Sequence, residues 1–324
     1  MTALLDVRRL GIEFRTSDGV VAAVRDASFS IERGEITALV GESGCGKSAT
    51  ALAILRLIEN PPGRIVHGEI LFEGRDLLKM GPDEIRALRG DRIAMIFQEP
   101  MTSLNPVHTV GRQVAEPLTL HRGLGVKAAL ARGIALLASV NIADPTRRAS
   151  AYPHQFSGGM RQRVMIAMAM GCGPDLVIAD EPTTALDVTI QAQLLDLLSA
   201  QVETQRTALL LITHNLGVVA RYANRIHVMY AGRIVESASA DALFARPRHP
   251  YTIGLLHSVP RLDRPVSDKL VPIEGQPPDP LHLPRGCAFH PRCRFAIDAC
   301  TEAVPPLRSV GDDHRIACIR DVDG

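Results

Sequence analysis

Five short apolar runs punctuate the middle of the chain, at residues 36–40, 93–97, 176–179, 208–213 and 226–230. Each is continuously apolar rather than alternating, the pattern of strands buried on both faces. Longer amphipathic stretches lie between them. Residues 48–59 read as a helix stopped by Pro61 and Pro62, and residues 189–206 as a second. Strands that alternate with helices predict a parallel sheet covered on both sides. Upstream, residues 5–14 and 27–31 read as strands of an added antiparallel sheet. Strand signals vanish between residues 100 and 173, which predicts a helical insertion. No internal repeat or low-complexity tract interrupts this order.

Composition sharpens the picture at the C-terminal end. The chain has 324 residues, length for about two domains. Twelve of its 22 prolines follow residue 240, and four of its six cysteines fall in the last 38 residues. A boundary is expected there, dividing residues 1–240 from a loop-rich tail at 241–324. No run reaches the roughly 18 uncharged apolar residues of a membrane span, and the N-terminus lacks the pattern of a secretory signal. The expected location is therefore cytosolic. Lys plus Arg total 36 against 35 Asp plus Glu, a net charge of +1. That balance argues against nucleic acid as the main ligand.

Only four residues are lysines, and one of them sits in a glycine-rich loop. Gly41-Glu-Ser-Gly-Cys-Gly-Lys-Ser48 matches the phosphate-loop spacing, directly after one apolar run and directly before a helical stretch. Glycines let backbone N–H groups curl around anionic oxygens, and the helix start adds partial positive charge. Gly41, Ser43, Gly44, Cys45, Gly46, Lys47, Ser48 and Ala49 are the candidate nucleotide-binding residues. Lys47 is expected to reach the β- and γ-phosphates, and the Ser48 hydroxyl to ligate Mg²⁺. The bland alternative is a glycine turn that merely fits; strand, loop and helix in register speak against it. A second candidate is the acid-tipped run at 176–181, which places Asp180 and Glu181 where open α/β sheets bind ligands. Asp180 is assigned to Mg²⁺ and Glu181 to the proton of the attacking water.

Phe156-Ser-Gly-Gly-Met-Arg-Gln-Arg163 resembles the signature motif of ABC transporter ATPases. Gln98 resembles that family's Q-loop glutamine, Ala185-Leu-Asp187 its D-loop and His214 its switch histidine, all in the family's order. The resemblance spans residues 5–240. It implies an α/β fold: a P-loop NTPase (RecA-like) parallel-sheet core with an N-terminal antiparallel β subdomain, a helical subdomain at about 100–173 and a small Cys-rich C-terminal extension. It implies that Ser157, Gly158 and Gly159 meet the γ-phosphate held by an opposite subunit. His214 then contacts that phosphate, and Gln98 binds Mg²⁺ or water. Phe14 is the candidate adenine-stacking ring, with a core role as the equal alternative. Met160 stands where glutamine is frequent in the family. Three stretches, 98–106, 157–170 and 180–193, are similar to the D-type subunits of dipeptide and oligopeptide permeases, which makes Met160 a subfamily trait.

The tail offers Cys287-x5-Cys293-x6-Cys300-x17-Cys318, four thiols in a segment too short for its own core. Disulfides are disfavoured in a reducing compartment, and four-cysteine zinc sites usually show shorter knuckles. Resemblance to the D-type subunits implies a [4Fe–4S] cluster on Cys287, Cys293, Cys300 and Cys318; zinc remains the alternative, with His282, His290 and His314 near enough for mixed ligation. Cys45 is expected to be open to alkylation, and Cys172 to pack in or end a helix. His249-Pro-Tyr-Thr252 reads either as a docking segment or as a helix cap.

The expected function is that of an ATP-hydrolysing subunit of a peptide importer, peripheral on the cytoplasmic face of the plasma membrane. Its expected partners are a paralogous ATP-binding subunit, two integral-membrane permeases and an extracytoplasmic peptide-binding protein. Alternatives are another solute such as nickel chelates, a soluble ABC ATPase acting on nucleic acid, and an iron–sulfur redox sensor.

Overall fold

The computed structural model describes residues 3–99, 103–183, 187–258, 272–311, 313–320 and 322. In chain order the elements are β1 (Leu5–Thr16), β2 (Gly19–Ile31), β3 (Ile36–Val40), α1 (Lys47–Ile54), β4 (Gly63–Phe72), β5 (Arg75–Asp76), α2 (Pro82–Leu88), β6 (Ile93–Ile96) and α3 (Val110–Arg122). There follow α4 (Val126–Ser139), α5 (Pro145–Ala149), α6 (Gly158–Met170), β7 (Leu176–Asp180), α7 (Val188–Gln205), β8 (Ala208–Thr213), α8 (Leu216–Tyr222), β9 (Arg225–Tyr230) and β10 (Arg233–Ser239). The tail holds α9 (Ala240–Ala245), α10 (Pro250–His257), β11 (Arg308–Gly311) and β12 (His314–Ile316). The chain forms two compact units, one of Met1–Ile31, Ile36–Leu78 and Thr213–Gly324, the other of Glu32–Glu35 and Lys79–Ile212.

In the first unit, β2-β1-β4-β5 form an antiparallel sheet. A second set of strands runs β11-β12-β10-β9-β3, with β3 parallel to β9 and the remaining pairs antiparallel. The purely parallel sheet expected from the apolar runs is thus mixed at this end. The cause is a tight hairpin: Ala231 and Gly232 both adopt positive φ, as a two-residue turn matching strand twist requires. Helix α1 stops at Ile54, five residues short of the predicted end. Arg56 turns left-handed (φ 51°), and the N–H groups of Arg56 and Leu57 close back onto the carbonyls of Ala53 and Leu52. That capping pattern ends the helix before the prolines can.

The second unit contains the parallel trio β6-β7-β8, in register Ile96↔Ala179 and Asp180↔Ile212. All five residues of β7 are buried, so both faces are covered, as its continuous apolar run demands. Helices α3 to α6 lie between β6 and β7, without a strand among the described residues 103–173. Gln113 of α3, buried, fixes the preceding loop: its amide accepts from Asn105 N–H and donates to the carbonyls of Asn105 and His108, each at 2.9 Å.

One core cluster of the first unit draws on distant stretches. Ala38, Val40, Val228 and Tyr230 from β3 and β9 pack with Tyr251 of α10 and with Phe289. Two buried histidines mark this unit as well. Burial, with Arg225 adding repulsion, pulls His227 down to about 3, and burial pulls His249 to about 4. Below the ordinary value of 6.5 the unfolded chain takes up protons that the folded chain refuses. Stability is therefore complete above pH 6.5 and drains as pH falls toward 4 and then 3. In H227L, about 1 kcal/mol of the stability that the wild type loses between pH 7.5 and 5.5 is expected to be retained. Denaturant midpoints at the two pH values measure this; parallel losses in both proteins contradict it.

Candidate functional site

The glycine loop follows β3 and leads straight into α1. Three of its glycines take positive φ: Gly41 (157°), Gly44 (79°) and Gly46 (107°). A β-carbon on Gly41 would run into the Met229 carbonyl and the Cys45 sulfur; one on Gly46 would strike the Ala23 carbonyl. Gly44 faces open space. Only glycine permits this path, and Gly46 caps α1 without a side-chain hydrogen bond. The first turn, including Ser48 and Ala49, therefore begins from a cap residue that contributes no side chain.

Lys47 is only 5% exposed, and its ammonium donates to the carbonyls of Gly41 (2.8 Å) and Glu42 (3.0 Å). A buried ammonium needs such partners, and here the loop itself supplies them. Cys45 is also buried against Lys47, with its thiol raised by burial, so the expected exposure to alkylation gives way to packing inside the loop. Beside the loop lies a cavity of about 230 Å³, bounded by Val21, Ser43, Gly44 and Tyr230 and by Pro277 and Leu283 of the tail. Phe14, half-buried in β1, lies opposite Val21 of β2 and against the backbone of Gly63.

In the other unit, Gln98 and the acids stand at the carboxyl ends of neighbouring parallel strands. Asp180 is the last residue of β7 and 5% exposed. Glu181 turns off the strand with φ 44°, a left-handed conformation unusual outside glycine, and its N–H donates to the Ile212 carbonyl. The Gln98 amide donates to the Glu181 carboxylate at 3.1 Å. Backbone strain and side-chain bond together aim Glu181 away from the strand line. Ser157 caps α6, accepting from Met160 N–H at 3.3 Å, with Ser157 and Gly158 exposed and Phe156 buried beneath them. Asp187 caps α7 by accepting from Ile190 N–H at 2.9 Å; Ala185 and Leu186 lie outside the described residues. His214, in the first unit, is exposed just after β8, and Asn215 caps α8 beside it.

The residues present suit magnesium and a polyphosphate. The Ser48 hydroxyl, the Gln98 amide oxygen and the Asp180 carboxylate are hard oxygen donors of the kind Mg²⁺ takes. A glycine path closed to a β-carbon at Gly41 and Gly46, with a buried cation within it, suits anionic oxygens.

The iron–sulfur expectation is corrected. Among the described residues no group of three or more His, Cys, Asp or Glu is arranged to hold a metal ion. Cys287, Cys293, Cys300 and Cys318 are free cysteines around a cavity of about 20 Å³ whose other walls include Phe289, Phe295, Pro305 and Ile319. Burial raises the thiols of Cys287, Cys293 and Cys318, Cys293 to about 11. The neighbouring histidines are engaged elsewhere: His314 with Glu236, His282 with Asp279 and His290 with the Cys287 carbonyl. His249 resolves to the cap reading, its Nδ1 accepting from Tyr251 N–H at 3.1 Å at the start of α10.

Two contacts had no sequence signal. Glu42, within the loop, is paired with Arg292, and its N–H meets Tyr251; the separations of 250 and 209 residues hide both from any local pattern.

Residues 24–184 match the family model described as ABC transporter, and residues 235–300 match the one described as oligopeptide/dipeptide transporter, C-terminal region. A putative peptide import ATP-binding protein of Brucella ovis is 51% identical, over 98% of this chain and 97% of its own. The oligopeptide transport ATP-binding protein OppD of Bacillus subtilis is 50% identical, over 98% and 88%. Among solved structures, the ATP-binding cassette MJ0796, a dimer bound to ADP and Pi, superposes with a TM-score of 0.65 at 26% identity, covering 73% of this chain and 98% of that one. The chain belongs to the ABC transporter ATP-binding proteins, with the ATPase fold of that family and the C-terminal region of its oligopeptide/dipeptide branch.

Proposed function

We propose that this protein hydrolyses ATP to drive uptake of di- or oligopeptides through a membrane importer. The observation that carries the reading is the pairing, in one chain, of an ABC match at 24–184 with an oligopeptide/dipeptide transporter match at 235–300. Its relatives are named for peptide import over nearly their whole length. The same matches support dividing the chain into an ATP-binding domain at 1–240, with its helical part at about 100–173, and a transporter-type tail at 241–324. Solutes other than peptides, including nickel chelates, are the alternative within the same machinery. The iron–sulfur sensor reading falls with the corrected cysteine cluster.

The site residues take the following roles in this reading. The loop N–H groups of residues 41–49 and the Lys47 ammonium cradle the phosphates. Ser48, Asp180 and Gln98 hold Mg²⁺, which offsets phosphate charge when bound. Glu181 accepts the proton of the attacking water; its contact with Gln98 links that base to the insertion that follows β6. His214 steadies the γ-phosphate, and Phe14 stacks on the adenine. Ser157, Gly158 and Gly159 present the start of α6 to nucleotide on an opposing subunit, as the exposure of Ser157 and Gly158 and the dimer reported for MJ0796 support. The opposing subunit is a paralogous ATP-binding protein, and the pair works on two permeases fed by an extracytoplasmic peptide-binding protein. No helix among the described residues is long and apolar enough to cross a membrane, which fits a peripheral subunit on the cytoplasmic face.

Replacing Glu181 by Gln is expected to cut ATP turnover in the assembled transporter by about 10²-fold or more while nucleotide is still bound, the signature of a lost proton acceptor. Near-normal turnover assigns the base elsewhere. A glycine pair separates cradle from surface. G41A is expected to abolish ATP binding because its β-carbon collides with backbone, whereas G44A, strained in φ but open in space, weakens it only several-fold, roughly the 1 kcal/mol that a left-handed alanine costs. Titration of each variant with ATP checks the order; equal losses contradict it. Uptake of labelled peptide by cells lacking and regaining this protein tests the solute.

A further inference from the structure

Glu42, the second residue of the glycine loop, has each of its polar groups engaged. Its carbonyl accepts from the Lys47 ammonium at 3.0 Å. Its N–H donates to the Tyr251 hydroxyl at 2.8 Å, and its two carboxylate oxygens accept from the two Arg292 Nη atoms at 2.7 and 3.0 Å. The first bond stays inside the loop, while the other two come from the tail.

Both tail residues are themselves fixed. Tyr251 is fully buried, with its ring 4.5 Å from that of Tyr230 and 5.4 Å from that of Phe289. The Arg292 side chain is 5% exposed, donates to the Glu274 carbonyl at 3.1 Å and to the Tyr230 hydroxyl at 3.3 Å, and lies over the rings of Tyr230 and Phe289. A planar guanidinium held on so many sides presents its fork to the carboxylate in one orientation only.

A loop built to receive a polyphosphate gains nothing from a carboxylate of its own. A formal negative charge carried on the loop repels the incoming polyanion unless it is neutralised on the spot. Glu42 is 27% exposed, so water screens it only in part. The bidentate pair with Arg292 cancels the charge. The Tyr251 bond pins the peptide unit just before the residue whose carbonyl holds Lys47.

We propose that Arg292 and Tyr251 are positioning residues of the nucleotide site, through which the C-terminal tail sets the affinity of the glycine loop for ATP by neutralising and anchoring Glu42. This rests on the reading of residues 41–49 as the phosphate cradle. The tail thereby belongs to the nucleotide site as well as to the importer-specific part of the chain.

The test is equilibrium binding of Mg-ATP to the purified full-length chain at fixed ionic strength, alongside the thermal midpoint of each variant. R292A is expected to weaken ATP about tenfold, because it leaves an unpaired carboxylate on the loop that receives the phosphates. Adding E42Q to R292A is expected to restore affinity to within about twofold of E42Q alone, since the neutral amide has nothing left to repel. Y251F, which removes one hydroxyl from an otherwise unchanged ring, is expected to weaken ATP about threefold. A purely structural role predicts lowered midpoints, unchanged affinity of the folded fraction and no rescue by E42Q; that result overturns the proposal. Should R292A not fold, R292K and Y251F decide in its place, and affinities equal to wild type for both overturn the proposal. If the wild-type chain itself fails to bind ATP, the cradle reading fails first and the proposal falls with it.

Discussion

A buried ammonium held by its own loop is the constraint on which the glycine loop depends. Lys47 is nearly shut off from water, and the free energy of keeping it charged there rests on carbonyls of the loop that carries it. Those carbonyls are available only because Gly41 and Gly46 take conformations closed to any side chain. The loop holds that ammonium in place with its own backbone.

The tail is built into the same economy of charge. Glu236 of β10, fully buried, accepts from the N–H groups of Arg248 and His249 and pairs with His314 of β12. A buried carboxylate is tolerable only when its lone pairs are filled in this way. Tyr251 and Phe289 then extend the apolar core of β3 and β9 into the tail. The shift in proline and cysteine content at residue 240 is a change of composition, while the packing of the first unit runs through it. Tail and loop meet at Glu42, where residues of the two matched regions are in contact.

Much of this was legible in the chain because its signals are local. Continuous apolar runs mark β3, β6, β7, β8 and β9 within a residue or two, since a strand covered on both faces has no polar side to show. The loop declares itself by glycine spacing. Strands β10 and β12 escaped because Glu236 and His314 put buried polar residues at positions that read as surface. The end of α1 escaped because Arg56 performs a turn usually given to glycine. Cysteine spacing suggested a metal centre, yet spacing does not fix how the side chains are arranged, and among the described residues no group of three or more His, Cys, Asp or Glu is set to hold a metal ion. The Arg292–Glu42 pair, closed across 250 residues, has no local trace at all.

The role of Lys47 is tested most directly by ATP hydrolysis of the chain assembled with membrane permeases and a peptide-binding protein in lipid vesicles, wild type against K47A. That role predicts hydrolysis stimulated by captured peptide in the wild type and none above background in K47A. Equal stimulated rates in the two proteins would contradict it, because the buried ammonium would then have no part in handling the phosphates.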